Sequence, residues 1–374
     1  MLNLKKIYYL SICLAIVSCS EKKKTEHAAT TNIEEPKEWV TYEGKDKNAK
    51  HIVFISGDEE YRSEEALPQL AKILSVRHGF KTTVLFAQDP ANPGIIDANY
   101  SFNIPGLSAL DTADMMVIFT RFRALPDDQM QHIDHYLKSG KPVMGIRTAT
   151  HAFNFNADSD SSFKHYGNGY NGEKTEWKDG FGRLVLGEKW ISHHGHHKHQ
   201  STRGFIAKGA ESHPITNGIE DGDIWGPTDV YGVRLPQPGD IQALILGQVV
   251  NRDGEFNADD IFLGMKSSDK GLPTANDKGE DQNNPMMPIA WTKSYQLPGG
   301  KTGKVFTSTI GAANDLLIEG TRRLLVNGVF WSMDLPVPAK ADVSLVGDYT
   351  PTVYDFRKDE YWDQKQLKVT DFKL

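Results

Sequence analysis

Cysteine is almost absent. The 374 residues hold two, Cys13 and Cys19, both near the start. A chain cut at Cys19 and blocked there has no free thiol, so a disulfide framework, thiolate-ligated zinc and a cysteine nucleophile are all excluded. A long hydrophobic run is also missing. The apolar stretch at 7–17 is shorter than the roughly 20 residues a membrane-spanning helix needs. Positive charge is not in excess: 42 Lys and Arg stand against 49 Asp and Glu, for a net charge of −7. With no basic stripe, nucleic acid is not an expected partner.

The present features begin with that short run. Lys5 and Lys6 precede it and the tetrapeptide IVSC ends it, so residues 1–18 read as a secretory leader. A small residue before cysteine resembles a bacterial lipobox. In that reading Cys19 carries a lipid and anchors an exported protein to a membrane, in the periplasm or at the cell surface. An ordinary leader with a chance cysteine is the alternative. Residues 19–49 are polar and charged and read as a flexible tether. Residues 50–335 are long enough for one large domain. A polar insertion is expected at about 251–285 and an extended tail at 336–374.

The domain alternates strand and helix patterns. HIVFISG (51–57), KTTVLFA (81–87), MMVIFT (115–120) and KPVMGI (141–146) are short apolar runs of the kind that form buried strands. Leu67, Leu70, Ala71 and Leu74 recur at helical spacing between Ser63, a candidate N-cap, and Gly79. Residues 125–140 carry a second helix, with acidic residues first and Gly140 last. GKVFTSTIG (303–311) and a helix from Glu319 repeat the theme until Pro336. Short connections between such elements imply a mostly parallel sheet covered by helices, an α/β fold.

In such folds ligands bind beyond the carboxyl ends of the strands. The first strand is followed there by Asp58, Glu59, Glu60, Tyr61 and Arg62, the third by Arg121 and Arg123, and the fourth by Arg147, Thr148 and His151. These groups form either a polar substrate cleft or a set of ion pairs locking loops together. GIRTATHAF has the strand–turn–helix shape of a nucleophile elbow, with Arg147 or Thr148 at its tip. Arginine stays protonated and cannot attack, but it can hold an anionic or hydroxyl-rich ligand.

ISHHGHHKHQ (191–200) places five of the 13 histidines within seven positions. On a strand, His194 and His196 would face one way and His193, His197 and His199 the other. An H-x-H pair can chelate zinc, manganese or nickel if Asp229 or His151 supplies a third ligand. Metal-free acid–base or sugar-binding histidines, and structural ones, are the alternatives. Asn251, Asp253, Gly254, Asn257 and Asp260 follow calcium-loop spacing, but Val249 occupies the first ligand position. A solvated turn is the better reading there.

FISGDEEYRSEEALPQLAKIL, GKPVMGIRTATHAF, HHG followed by STRG, SHPITNGI, GPTDVY, PIAWTKSY and GKVFTSTIGAANDLL together resemble the ThuA-like (trehalose-utilisation) family over about 50–335. The resemblance implies a flavodoxin-like, class I glutamine amidotransferase-like three-layer sandwich. Amidotransferases of that fold keep a cysteine at the elbow; Arg147 stands there here, so glutaminase activity is excluded. The family's association with disaccharides and their 3-keto derivatives implies a small carbohydrate or keto-sugar partner. A ketone acidifies its neighbouring C–H, so isomerase, epimerase or lyase chemistry needs one base and one cation. His151, His194 and His196 are then the candidate proton carriers and Arg147 or Arg121 the enolate partner. Asp229 and Tyr231 of GPTDVY join the candidate substrate contacts; Trp177, Trp190 and Trp225 could stack on a sugar, with core packing the preferred reading for any one of them, and His213 is as easily structural as a ligand contact. A non-catalytic carbohydrate-binding lipoprotein and a metal-dependent hydrolase remain alternatives, and a homo-oligomer stays open.

Overall fold

The computed structural model describes residues 37–275 and 279–374, all within one compact unit. The leader, Cys13, Cys19 and most of the expected tether lie outside the described residues. In chain order the elements are β1 (Trp39–Tyr42), β2 (His51–Gly57), α1 (Ser63–His78), β3 (Lys81–Phe86), β4 (Met115–Thr120), α2 (Asp127–Lys138) and β5 (Val143–Ile146). The chain continues with β6 (Gln200–Ile206), β7 (Trp225–Gly226), β8 (Gln242–Asn251), β9 (Met287–Gln296), β10 (Thr302–Ser308), α3 (Glu319–Ser332) and α4 (Asp359–Lys365).

All ten strands join one sheet, in the order β1-β3-β2-β4-β5-β10-β9-β8-β6-β7. Strands β3, β2, β4, β5 and β10 are parallel, while β1 at one edge and β9, β8, β6 and β7 at the other pair antiparallel. The parallel centre matches the expected fold class. The antiparallel half is a finding, because the Gly- and Asn-rich middle of the sequence hides its strands. The expected tether ends early: Trp39–Tyr42 pairs with β3, and Val40 and Tyr42 are buried.

Side-chain alternation explains the layering. Ile52 and Phe54 of β2 pack in one core with Leu67, Leu70 and Leu74 of α1 and Leu325 and Val329 of α3. Val53 and Ile55 point the other way, into a second core with Met130, Ile133 and Leu137 of α2. Helices thus cover both faces of the parallel strands, and each fully buried aliphatic side chain contributes roughly 1.5–3 kcal/mol. Gly79 ends α1 in the left-handed region (φ +76°), and its N–H donates to Ser75 O at 2.8 Å. Ser63 is not the N-cap. It is the first helical residue, and its hydroxyl accepts from Asp58 N at 3.0 Å and bonds Ser56 Oγ at 2.8 Å.

Residues 336–374 run extended over the domain before α4, and the segment is well anchored. Tyr354, Trp362 and Val369 are buried, and Ile96 N donates to Leu367 O at 2.8 Å. The expected insertion is mostly turns, with Leu263 and Met265 rooted in the core. Its calcium-like residues cap those turns: Asp253 accepts from Lys270 N and Gly271 N, and Asp260 from Gly264 N. No helix among the described residues is long and apolar enough to cross a membrane.

Candidate active site

The chain turns sharply after β5. Arg147 lies at φ +48°, in the left-handed region, and a tight helical turn through His151 follows. This is elbow geometry with arginine at the tip. Its guanidinium is not presented to solvent. Arg147 is 1% exposed and lies between the rings of Tyr61 and Tyr231, with centroids at 4.3 and 3.9 Å. It donates to Asp229 O and Thr309 O, both at 2.7 Å, and to Asp229 Oδ1 at 3.2 Å. Arg147 is therefore a buried counter-charge to Asp229, and the expected direct role at an enolate is not what this placement offers.

Asp229, in the turn after β7, is fully buried and organises the site. His193 Nδ1 lies 2.7 Å from Oδ2, and His197 Nδ1 lies 3.0 Å from Oδ1. Burial alone would raise this carboxyl. Hydrogen bonds from the two histidines and the charge on Arg147 outweigh it and hold Asp229 well below the usual carboxylate range. An ionised Asp229 accepting at both Nδ1 positions leaves the Nε2 atoms as the working ends of the rings. His197 Nε2 faces Glu60 Oε1 at 3.3 Å. His193 is about a third exposed, so its Nε2 edge is open to a ligand.

Glu60, just past β2, completes the acid–base set. Burial pushes its carboxyl up to about 7; Asp58 adds to this, and Arg121 and Arg147 oppose it. Arg121 Nε lies 3.6 Å from Glu60 Oε2 and its side chain is 21% exposed. Of the predicted arginines it is the one that is not fully buried. Its other anchor is Glu59, which also binds Arg123.

Several predicted contacts are instead framework. Asp58 accepts from Glu60 N, Tyr61 N and Thr148 Oγ1, which fixes the turn that presents Glu60. Arg123 is buried and donates to Ala98 O and Tyr100 O. Arg62 is buried against Trp362 and donates to Glu59 O and Asp355 O. His151 is buried, and burial first, then Arg121 and Arg147, push it well below the ordinary histidine range. Its neutral ring lies 4.8 Å from Phe122 and 5.4 Å from Trp190.

The histidine run is not a strand. His193 makes an isolated bridge to Tyr231, and residues 194–199 then bend and turn into β6, so the alternating faces expected for His194 and His196 do not arise. His194 Nε2 lies 2.8 Å from Gln282 O, and His196 stacks on His199 at 4.5 Å. Neither joins Asp229. The pair that converges is His193 and His197, four residues apart, and their ligand atoms and that of Asp229 all lie within 4.8 Å of one another. Strand alternation would put these two on the face opposite His194 and His196. The i, i+4 spacing across a turn was the signal for them. A cleft of about 390 Å³ opens on the run, lined by His193, His194, His196, His197, Gln200 and Gln282.

The contacts close into a circuit: His193, His197, Glu60, Arg121, Phe122, His151 and Trp190 return to His193 at 5.7 Å, with Tyr231 beneath. Trp190 is thus at the site, whereas Trp177 and Trp225 are buried in the cores. His213 caps a turn by accepting from Ile215 N at 3.2 Å and packs on Trp331, away from the site.

These features define an α/β protein with a histidine–carboxylate cluster where the parallel strands end. The family model ThuA, described as trehalose utilisation, matches residues 51–332, and the chain belongs to that family. Among solved structures it is similar to ThuA-like proteins from Parabacteroides merdae (13% identity, 83% of this chain and 98% of that one, TM-score 0.45) and Bacteroides uniformis (15%, 78% and 95%, 0.40). A cytoplasmic protein from Salmonella typhimurium is also similar (12%, 75% and 98%, 0.36). No curated protein matches the chain.

Proposed function

We propose that this ThuA-family protein is an acid–base enzyme acting on a keto-sugar or a related disaccharide or glycoside. The observation that carries the reading is one buried carboxylate, Asp229, engaging two imidazoles at Nδ1 beside Glu60. His193 Nε2 removes the proton next to a ketone, Arg121 meets the enolate oxygen, and the Glu60–His197 pair returns a proton to carbon or to a leaving oxygen. Arg147 and His151 support the pocket from behind. The left-handed Arg147 after β5, with helices on both faces of the sheet, supports a class I glutamine amidotransferase-like sandwich. With no cysteine at that position, glutaminase chemistry has no nucleophile.

The test is proton exchange. Incubated in deuterated water with 3-keto-trehalose, the protein should incorporate deuterium beside the ketone, and His193→Ala should slow this roughly 10²–10⁴-fold. Absence of exchange with any 3-keto-disaccharide would sink the reading. A second reading is a divalent cation, zinc, manganese or nickel, held by His193, His197 and Asp229; the closeness of their ligand atoms favours it. Arg147, 3.2 Å from Asp229, weighs against it. Export and lipid attachment at Cys19 belong to the same proposal, supported by the leader's composition. Palmitate labelling that persists in Cys19→Ala would exclude the anchor.

A further inference from the structure

Residues 353–357 lie beyond the segment matched by the family, yet they are pinned to the site from three sides. Tyr354 is fully buried; its ring stacks on Tyr61 at 5.3 Å and meets His197 edge-on at 5.4 Å, and its hydroxyl donates to Pro227 O at 3.1 Å. Asp355 N donates to Glu60 O at 2.9 Å, and Asp355 O accepts from Arg62 Nη2 at 3.2 Å. The Asp355 carboxylate takes Lys198 Nζ, from the end of the histidine loop, at 2.6 Å. One short stretch thus ties the turn carrying Glu60 to the loop carrying His197.

This anchoring leaves the next side chain outside. Phe356 is 51% exposed, a costly place for a large apolar ring. It lies 4.8 Å from the Arg121 guanidinium, which has Phe122 at the same 4.8 Å. Phe356 therefore stands at the rim beside the groups assigned above to proton transfer and to the oxyanion. A flat apolar face next to a cation and a carboxyl suits the C–H face of a pyranose whose hydroxyls reach the polar groups.

We propose that Phe356 is a substrate-stacking residue: the tail segment Tyr354–Phe356 builds one wall of the sugar site, and Phe356 holds the apolar face of a hexopyranose ring. This rests on the carbohydrate reading. It assigns a specificity role to a segment outside the matched residues, so sugar preference can change there without touching the acid–base set.

Calorimetric titration of wild type, Phe356→Ala, Phe356→Leu and Phe356→Trp with trehalose and 3-keto-trehalose tests it, with thermal unfolding as a folding control. The half-exposed ring predicts unchanged unfolding temperatures. Binding should weaken about 3- to 10-fold in both the alanine and the leucine variants, and tryptophan should bind at least as well as wild type. Leucine binding like wild type would mean that bulk, not a ring face, matters, and would overturn the proposal. So would unchanged affinity with slower proton exchange, which would reduce Phe356 to positioning Arg121. If wild type binds neither sugar, the carbohydrate reading falls together with this one; if wild type binds and alanine matches it, this one falls alone.

Discussion

The two halves of the sheet divide the work. The parallel half carries Glu60, Arg121 and Arg147 at its strand ends, and most of its charges are spent on one another: Glu59 on Arg121 and Arg123, Asp58 on backbone donors. The antiparallel half brings His193, His197 and Asp229 on loops; His197 is held between Asp229 and Glu60, while His193 stays about a third exposed. A charged frame meets an imidazole wall, and Asp229 with Arg147 is the joint between them. A cluster of charges at strand ends therefore marks where a candidate site is, while the two imidazoles and the carboxylate that hold it together come in from the half that was hardest to read.

Breaking the joint should have the largest effect. Asp229→Asn leaves Arg147 buried without its ionic partner, and we expect a loss of about 3–5 kcal/mol in denaturant unfolding, together with loss of proton exchange. Next comes the comparison within the histidine loop. His193→Ala should cost orders of magnitude in exchange, whereas His194→Ala and His196→Ala should stay within a few-fold of wild type, since neither touches Asp229. Activity that follows His194 and His196 instead would restore the H-x-H reading.

Two further changes sharpen the contrast through stability alone. On the antiparallel side, Lys293 is partly buried under the turn at 184–187, and burial lowers it to about 8, with Asp240 opposing the shift. Between pH 8 and its unfolded value near 10.5 the unfolded chain binds more protons, so stability rises with pH across that window. Below pH 8 the folded state bears the cost of a desolvated charge. Lys293→Met should remove this slope and gain on the order of 2 kcal/mol at pH 7. On the parallel side, a Cβ at Gly328 in α3 would run into the ring of Phe306 in β10. Gly328→Ala should cost about 1–3 kcal/mol without changing proton exchange.

The same division explains what the sequence makes legible. Strands β2, β3, β4 and β5 are buried on both faces and read as apolar runs, and α1 to α3 carry helical spacing. β8 mixes buried and partly exposed positions, and β9, although buried over 288–292, is cut off from it by the polar stretch 251–285, so neither signal is clean. The strand-end charges were legible as a group, but which ones are spent on framework was not, because hydrogen bonds such as Thr148 to Asp58 join residues 90 positions apart. The histidines were legible as a cluster. Their pairing was not, because a turn at 194–199 replaces period two with period four. Tyr354 and Phe356 gave no signal: the tail has no periodicity, and its anchors are single contacts to distant loops.

The most direct test of the Asp229 joint is the ¹⁵N spectrum of histidine-labelled protein, recorded before and after chelator, with Asp229→Asn as reference. His193 and His197 should both show Nδ1–H donating to Asp229, indifferent to chelator and altered in the variant. Rings that carry a metal at Nδ1, and change when the chelator removes it, would contradict the account and put the divalent cation first.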